Sequence, residues 1–216
     1  MKKKTIALAL VLVMAFGVTV GGTFAYLTST ADVTNTFTVG NVQIKLDEAK
    51  TDAAGIVQMD DNQKEIRTEE GNEYKLLPGH TYAKDPTVTV LKGSEESYVR
   101  MLVTINEQKD LDAIFADNGG AVLSTFFGGV SADWTLVKET ENTDDTRTYE
   151  FRYKETVAAP DNDVVLDDLF ETIIVPGTIN NDQLATISDL EIGVVAQAIQ
   201  KDGFANADAA WAAWTN

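Results

Sequence analysis

Residues 21–46 read GGTFAYLTSTADVTNTFTVGNVQIKL, and their alternation sets the class of the whole chain. From Leu27 to Val39 the odd positions include Leu27, Ala31, Val33, Phe37 and Val39, while the even positions are Thr28, Thr30, Asp32, Thr34, Thr36 and Thr38. A period of two with β-branched residues predicts a strand with one buried face. After Gly40-Asn41 the apolar set moves to the even positions Val42, Ile44 and Leu46. A one-residue slip exchanges the two faces of a strand, so a bulge, kink or turn is expected at Gly40-Asn41, which acts as a hinge. The first segment spans about 13 residues, roughly 43 Å when extended. Strands are usually about 5–6 residues long, so part of this one is expected to reach beyond its own domain.

Upstream, Lys2-Lys3-Lys4 precedes an apolar run from Ile6 to Val20, and the small residues Thr23 and Ala25 stand at −3 and −1 of a cut between Ala25 and Tyr26. This is the anatomy of a secretory signal peptide. The apolar run is short against the roughly 20 residues of a spanning helix, so no membrane association is expected after cleavage. The expected organisation is a signal peptide over residues 1–25, an N-terminal strand over 26–40 and one domain over 41–216, with a polar insertion near 47–72.

The 216 residues carry a formal charge of −17, which argues against nucleic acid or an anionic membrane as partner. The absence of cysteine rules out disulfides, thiol chemistry and cysteine zinc sites. An exported chain of this kind depends on its core, on sheet pairing or on assembly.

Further along, residues 47–72 read as a loop or an exposed hairpin, and Pro78-Gly79 as a type II turn. Thr87–Leu91 and Tyr98–Ile105 form a predicted hairpin, the second arm pointing Val99, Met101, Val103 and Ile105 inward. Leu111, Ile114 and Phe115 mark a short helix over Asp110–Asp117, stopped by Gly119-Gly120. Trp134–Lys138 and Thr148–Lys154 pair next, with Tyr149, Phe151 and Tyr153 on one face. Asp161–Phe170 is an acidic loop or helical turn, and Phe170–Val175 a strand. Leu190–Gln200 reads as a strand, although its alanines also suit a helix, and Asn206–Trp214 as a short helix capped by Asn206. The sum is a mainly β chain: an antiparallel, jelly-roll-like sandwich with one or two short helices.

Gly21-Gly22-Thr23-Phe24-Ala25, then Tyr26-Leu27, then Thr36-Phe37-Thr38-Val39-Gly40 leading into a strand, resemble the start of the TasA/camelysin family, with Leu77-Pro78-Gly79 as a weaker match. These are secreted Gram-positive proteins processed by a dedicated SipW-type signal peptidase. The resemblance implies a jelly-roll fold and a structural subunit of extracellular fibres or biofilm matrix. It also implies self-assembly, in which the N-terminal strand of one subunit completes a sheet of the next. The inserted face would be Leu27, Ala31, Val33 and Phe37, presented by main-chain pairing.

The camelysin name also carries a claim of zinc peptidase activity. The chain has one histidine, His80 in a turn, and no His-Glu-x-x-His, so no catalytic or metal residue is assigned and a non-enzymatic protein is expected. The acidic runs Asp60-Asp61, Glu141–Asp145 and Asp161–Asp168 leave calcium as a possible cofactor, without matching a calcium-loop motif. Trp211 and Trp214 share a helical face that either caps the sandwich or docks a partner. A secreted monomeric binding module is the alternative function.

Overall fold

A computed structural model of the chain describes residues 40–118 and 120–214. Residues 1–39 lie outside that description, and with them the leader, the Ala25–Tyr26 cut and the segment carrying Leu27, Ala31, Val33 and Phe37. Gly40 and Asn41, the expected hinge, are exposed at the start of the described residues. The Asn41 carbonyl accepts the Glu95 N–H at 2.9 Å, which ties the entry of the chain to a turn of the domain.

Among the described residues, twelve strands and four short helices run in this order. They are β1 (Ile44–Ala49), β2 (Arg67–Thr68), β3 (Thr81–Ala83), β4 (Thr87–Val90), β5 (Ser94–Ile105), α1 (Gln108–Asp117) and α2 (Val122–Thr125). Then come β6 (Phe127–Gly128), β7 (Trp134–Glu141), β8 (Arg147–Tyr153), β9 (Val157–Ala159), β10 (Val164–Val165) and β11 (Thr172–Ile174). The last elements are α3 (Asn181–Thr186), β12 (Ile192–Gln200) and α4 (Ala207–Ala212). The strands pair as β10-β4-β1-β2, β3-β11-β6 and β12-β5-β8-β7, with β9 beside the start of β5. Every one of these pairings is antiparallel.

The expected antiparallel sandwich is therefore present. Its spine is β5. Val99, Met101, Val103 and Ile105 are at most 1 % exposed, and they meet Val88 and Val90 of β4 in one core. Burying each such side chain stabilises by about 1.5–3 kcal/mol. Between β4 and β5 the chain turns at Gly93, whose φ of +86° lies where residues with a Cβ are strained. The core is filled by aromatics: Phe127 has ring centroids 5.5 Å from Phe126, 4.6 Å from Phe170 and 6.3 Å from Tyr149.

The β7–β8 hairpin is longer than its sequence reading, and its register shifts between Leu136 and Lys138. Its loop serves α1. Glu107 gives that helix no side-chain cap, and the N–H groups of Gln108 and Lys109 are taken instead by the carbonyl and carboxylate of Asp145.

On the outer face of the β12-β5-β8 sheet lies α4. Asn206 caps it by accepting the Ala209 N–H at 2.9 Å. The Arg100 guanidinium stands 4.2 Å from the Trp211 ring centre, an arrangement in which the cation meets the negative face of the ring. Trp211 is buried, so this ring covers the sheet rather than standing free.

Several details depart from the sequence reading. Thr87–Leu91 and Tyr98–Ile105 do not form the expected hairpin: β4 pairs with β1 and β10, and β5 with β12, β8 and β9, so the turn at Gly93 carries the chain from one sheet to the other. The polar insertion begins later than residue 47, because Asp47, Glu48 and Ala49 complete β1. Beyond β1 runs an exposed ribbon bridged at Thr51–Val57 and Met59–Glu65, with Asp52 and Asp60 closing its turns. The helices α2 and α3 add to the two expected. They are four and six residues long, too short for a 3.6-residue pattern to register.

Candidate functional site

The sandwich is closed unevenly. β12 pairs with β5 on one side, and none of the described strands pairs with its other edge. On β1, Ile44–Asp47 pair with β4, and β2 reaches only Glu48 and Ala49. β1 and β12 lie close to each other without pairing. The inward rows facing this seam are incompletely covered. Ile44 and Leu46 of β1, and Ile192, Val194, Ala196 and Ala198 of β12, are half-buried against the core. The corresponding row of β5 is sealed.

Where β12 begins there is a cavity of about 740 Å³. Residues 71–76 and 184–193 form much of its wall, with Tyr82, Lys84, Phe126 and Ile173 also lining it. The 184–193 wall is set by α3, whose Asn180 and Gln183 exchange side-chain and backbone hydrogen bonds in a capping box.

Beside this cavity the inward row of β1 ends in a charge. Ile44, Leu46 and Glu48 share one face by parity, and Glu48 is 7 % exposed. Its Oε2 lies 2.6 Å from Nζ of Lys84, itself 6 % exposed. Its Oε1 accepts from Nδ2 of Asn72 at 2.8 Å. The same Nδ2 donates to the Ala49 carbonyl at 2.9 Å, and the Asn72 Oδ1 accepts the Thr51 N–H at 2.9 Å. Two opposite charges are thus buried in contact with each other, with a half-buried carboxamide bonded to the second oxygen of the carboxylate, and such pairing is what lets buried charge be tolerated. A neighbouring network joins Arg67 to Asp47 at 2.8 Å, to Asp85 and to the Thr87 hydroxyl at 2.8 Å. It pins the exposed ribbon to β1 and β4.

Tyr74 stands beside the polar cluster, its ring centroid 5.4 Å from that of Tyr82. Burial, and then the charge of Glu48, pushes the Tyr74 hydroxyl up to about 12 from 10.0, and burial pushes Tyr82 up as well. A raised folded-state value favours the neutral phenol, so this stability is complete below the unfolded value and is lost as pH rises toward the folded one. Urea unfolding is therefore expected to show stability falling between pH 10 and about 12, with a smaller fall in Tyr74→Phe. An equal fall in the variant would assign the effect to other groups.

The other singled-out residues are dispersed. His80 is exposed in the Pro78-Gly79 turn, its ring 5.9 Å from that of Tyr82. Asp60 and Asp144 accept hydrogen bonds within their own turns, and Asp163 accepts the Lys92 N–H. The Asp167 carboxyl is pushed up, first by its hydrogen bond with Asp133. Among the described residues no three His, Cys, Asp or Glu side chains converge as a metal site. None of the described helices is long and apolar enough to cross a membrane.

The seam is half legible in the sequence, through the alternation of β12. The Glu48–Asn72–Lys84 cluster escapes such a reading. Its one signal is parity, because Glu48 continues the Val42, Ile44, Leu46 row. Compared with protein-family models, curated proteins and solved structures, the chain finds no match.

Proposed function

We propose that the chain is a secreted structural subunit of extracellular fibres or a biofilm matrix, and that strand Tyr26–Val39 of one copy adds to the seam beside β12 of the next. The observation that carries this reading is the half-covered inward row of β12 next to a nine-residue edge without a described partner. A strand laid there hydrogen-bonds to β12, parts it from β1 and covers that row. Leu27, Ala31, Val33 and Phe37 recur on one face with the spacing such a row requires. Asp32 is the one charged residue among 26–39, which suits a segment destined for burial in a chain of charge −17.

The opposite edge strand is a poorer acceptor. β7 is bulged and turns Lys138 and Glu139 to solvent, both devices that blunt an edge. In this scheme a SipW-type signal peptidase frees Tyr26 and so couples export to assembly.

Val33→Asp combined with Phe37→Asp is expected to leave a secreted, folded monomer and to abolish fibres in electron micrographs. Fibres of ordinary length from this variant would sink the proposal. The cavity of about 740 Å³ favours a second reading, a monomeric binding module, since small-molecule sites commonly fall between about 300 and 1,000 Å³. Gel filtration of the processed protein separates the two, a single monomer peak at all concentrations favouring the module.

A further inference from the structure

The geometry points to a covalent bond between Lys84 and Asn72: a spontaneous intramolecular amide, formed with Glu48 as proton carrier and with loss of ammonia. The three functional groups are already in sequence. The Lys84 amine lies 2.6 Å from one oxygen of Glu48, and the Asn72 amide nitrogen lies 2.8 Å from the other. One carboxylate therefore bridges a nucleophile and a leaving group. The Asn72 carbonyl oxygen accepts the backbone N–H of Thr51 at 2.9 Å, which places a fixed donor where negative charge develops during attack.

The reaction balances without an outside reagent. A proton moves from the Lys84 ammonium to Glu48 along their contact, which removes both charges from a buried pair. The freed lone pair of Nζ attacks Cγ of Asn72, forming the C–N bond and placing charge on Oδ1. Protonated Glu48 gives its proton to Nδ2 and takes one from Nζ. The Cγ–Nδ2 bond then breaks. The products are a secondary amide, ammonia and neutral Glu48, equal in atoms and charge to the starting ammonium, carboxylate and carboxamide. Asn72 and Lys84 both line the cavity, which gives ammonia a way out.

The surroundings serve this chemistry. Glu48 and Lys84 are 7 % and 6 % exposed, so the proton-carrying contact is withdrawn from bulk water. Fixed geometry of this kind supplies the proximity that a free amine and a free amide lack. A cysteine-free chain gains in this way a cross-link between the end of the exposed ribbon and the segment entering β4.

Mass spectrometry of the full-length secreted protein tests the assignment. After denaturation and trypsin, residues 68–75 are expected joined to residues 76–92, uncut at Lys84 and lighter than the sum of the two peptides by one ammonia. Lys84→Arg and Glu48→Gln are each expected to lack the joined species, and their intact masses to differ from the native protein by the residue exchange plus one ammonia. A native protein that is cut at Lys84 and has the full mass for its own N-terminus overturns the proposal, whether or not either variant folds. A peptide joining Lys84 to Glu48 with loss of water overturns it too. A native-like yield of the Lys84–Asn72 peptide in Glu48→Gln removes Glu48 from the reaction.

Discussion

On the proposed strand addition, Ala196→Phe is expected to leave the chain folded and to weaken its assembly. Ala196 lies in the middle of the inward row of β12, opposite Met101 of β5, and is half-buried at the seam. A phenyl ring there enters the space that the incoming strand requires. The monomer bears little strain, because Ala196 is only half-buried among the described residues. Each junction between copies would have to accommodate an overpacked contact, which costs about 1–3 kcal/mol, or roughly a fivefold to 160-fold fall in junction affinity. Circular dichroism and thermal melting should match the native protein while fibre mass in electron micrographs falls by a comparable factor. Unchanged fibres would move the acceptor away from β12. Ala196→Gly serves as control and should assemble.

A second large effect is expected at the other side of the core. Phe127 sits on the two-residue strand β6, is 4 % exposed and meets three aromatic rings. Phe127→Ala removes a ring from a site whose neighbours are held by both layers, so the space cannot collapse. The expected loss is about 3–5 kcal/mol. Domains of this size are commonly stable by only about 5–15 kcal/mol. Urea denaturation should show a lower midpoint with an unchanged slope. A loss under about 1 kcal/mol would mean that the rings repack.

The strands legible in the sequence are those with one wet face. Arg100 and Thr104 between Val99, Met101, Val103 and Ile105 declare both the element and its orientation. The same holds for Glu150 and Arg152 among the aromatics of β8, and for β12, whose β-branched residues outweigh its alanines. Short strands such as β2, β6 and β10 carry too few residues for any period, and only their partners define them. The ribbon after β1 is readable as polar, but not the point where it begins, because Asp47 and Glu48 look like loop residues until their partners are known. Those partners, Arg67, Asn72 and Lys84, lie between 20 and 36 residues away along the chain. They come together only through the pairing of β1 with β2 and β4. Composition does not disclose the cluster, since the chain is rich in acidic residues and a single buried carboxylate among them has no distinguishing neighbour in sequence.

In the proposed assembly, the edge of β12 that none of the described strands pairs with has a consequence for how long a filament can grow. A subunit that gives one strand and takes one strand propagates in a single direction, and nothing in such a scheme closes the ring or counts the members. A chain trimmed of residues 26–39 keeps its β12 edge but has no strand to give. Added in small amounts, it would occupy the receiving role without offering the next link. The ratio of trimmed to intact chains, rather than total concentration, would then set the mean filament length, so a protease acting on those few residues would be a length regulator.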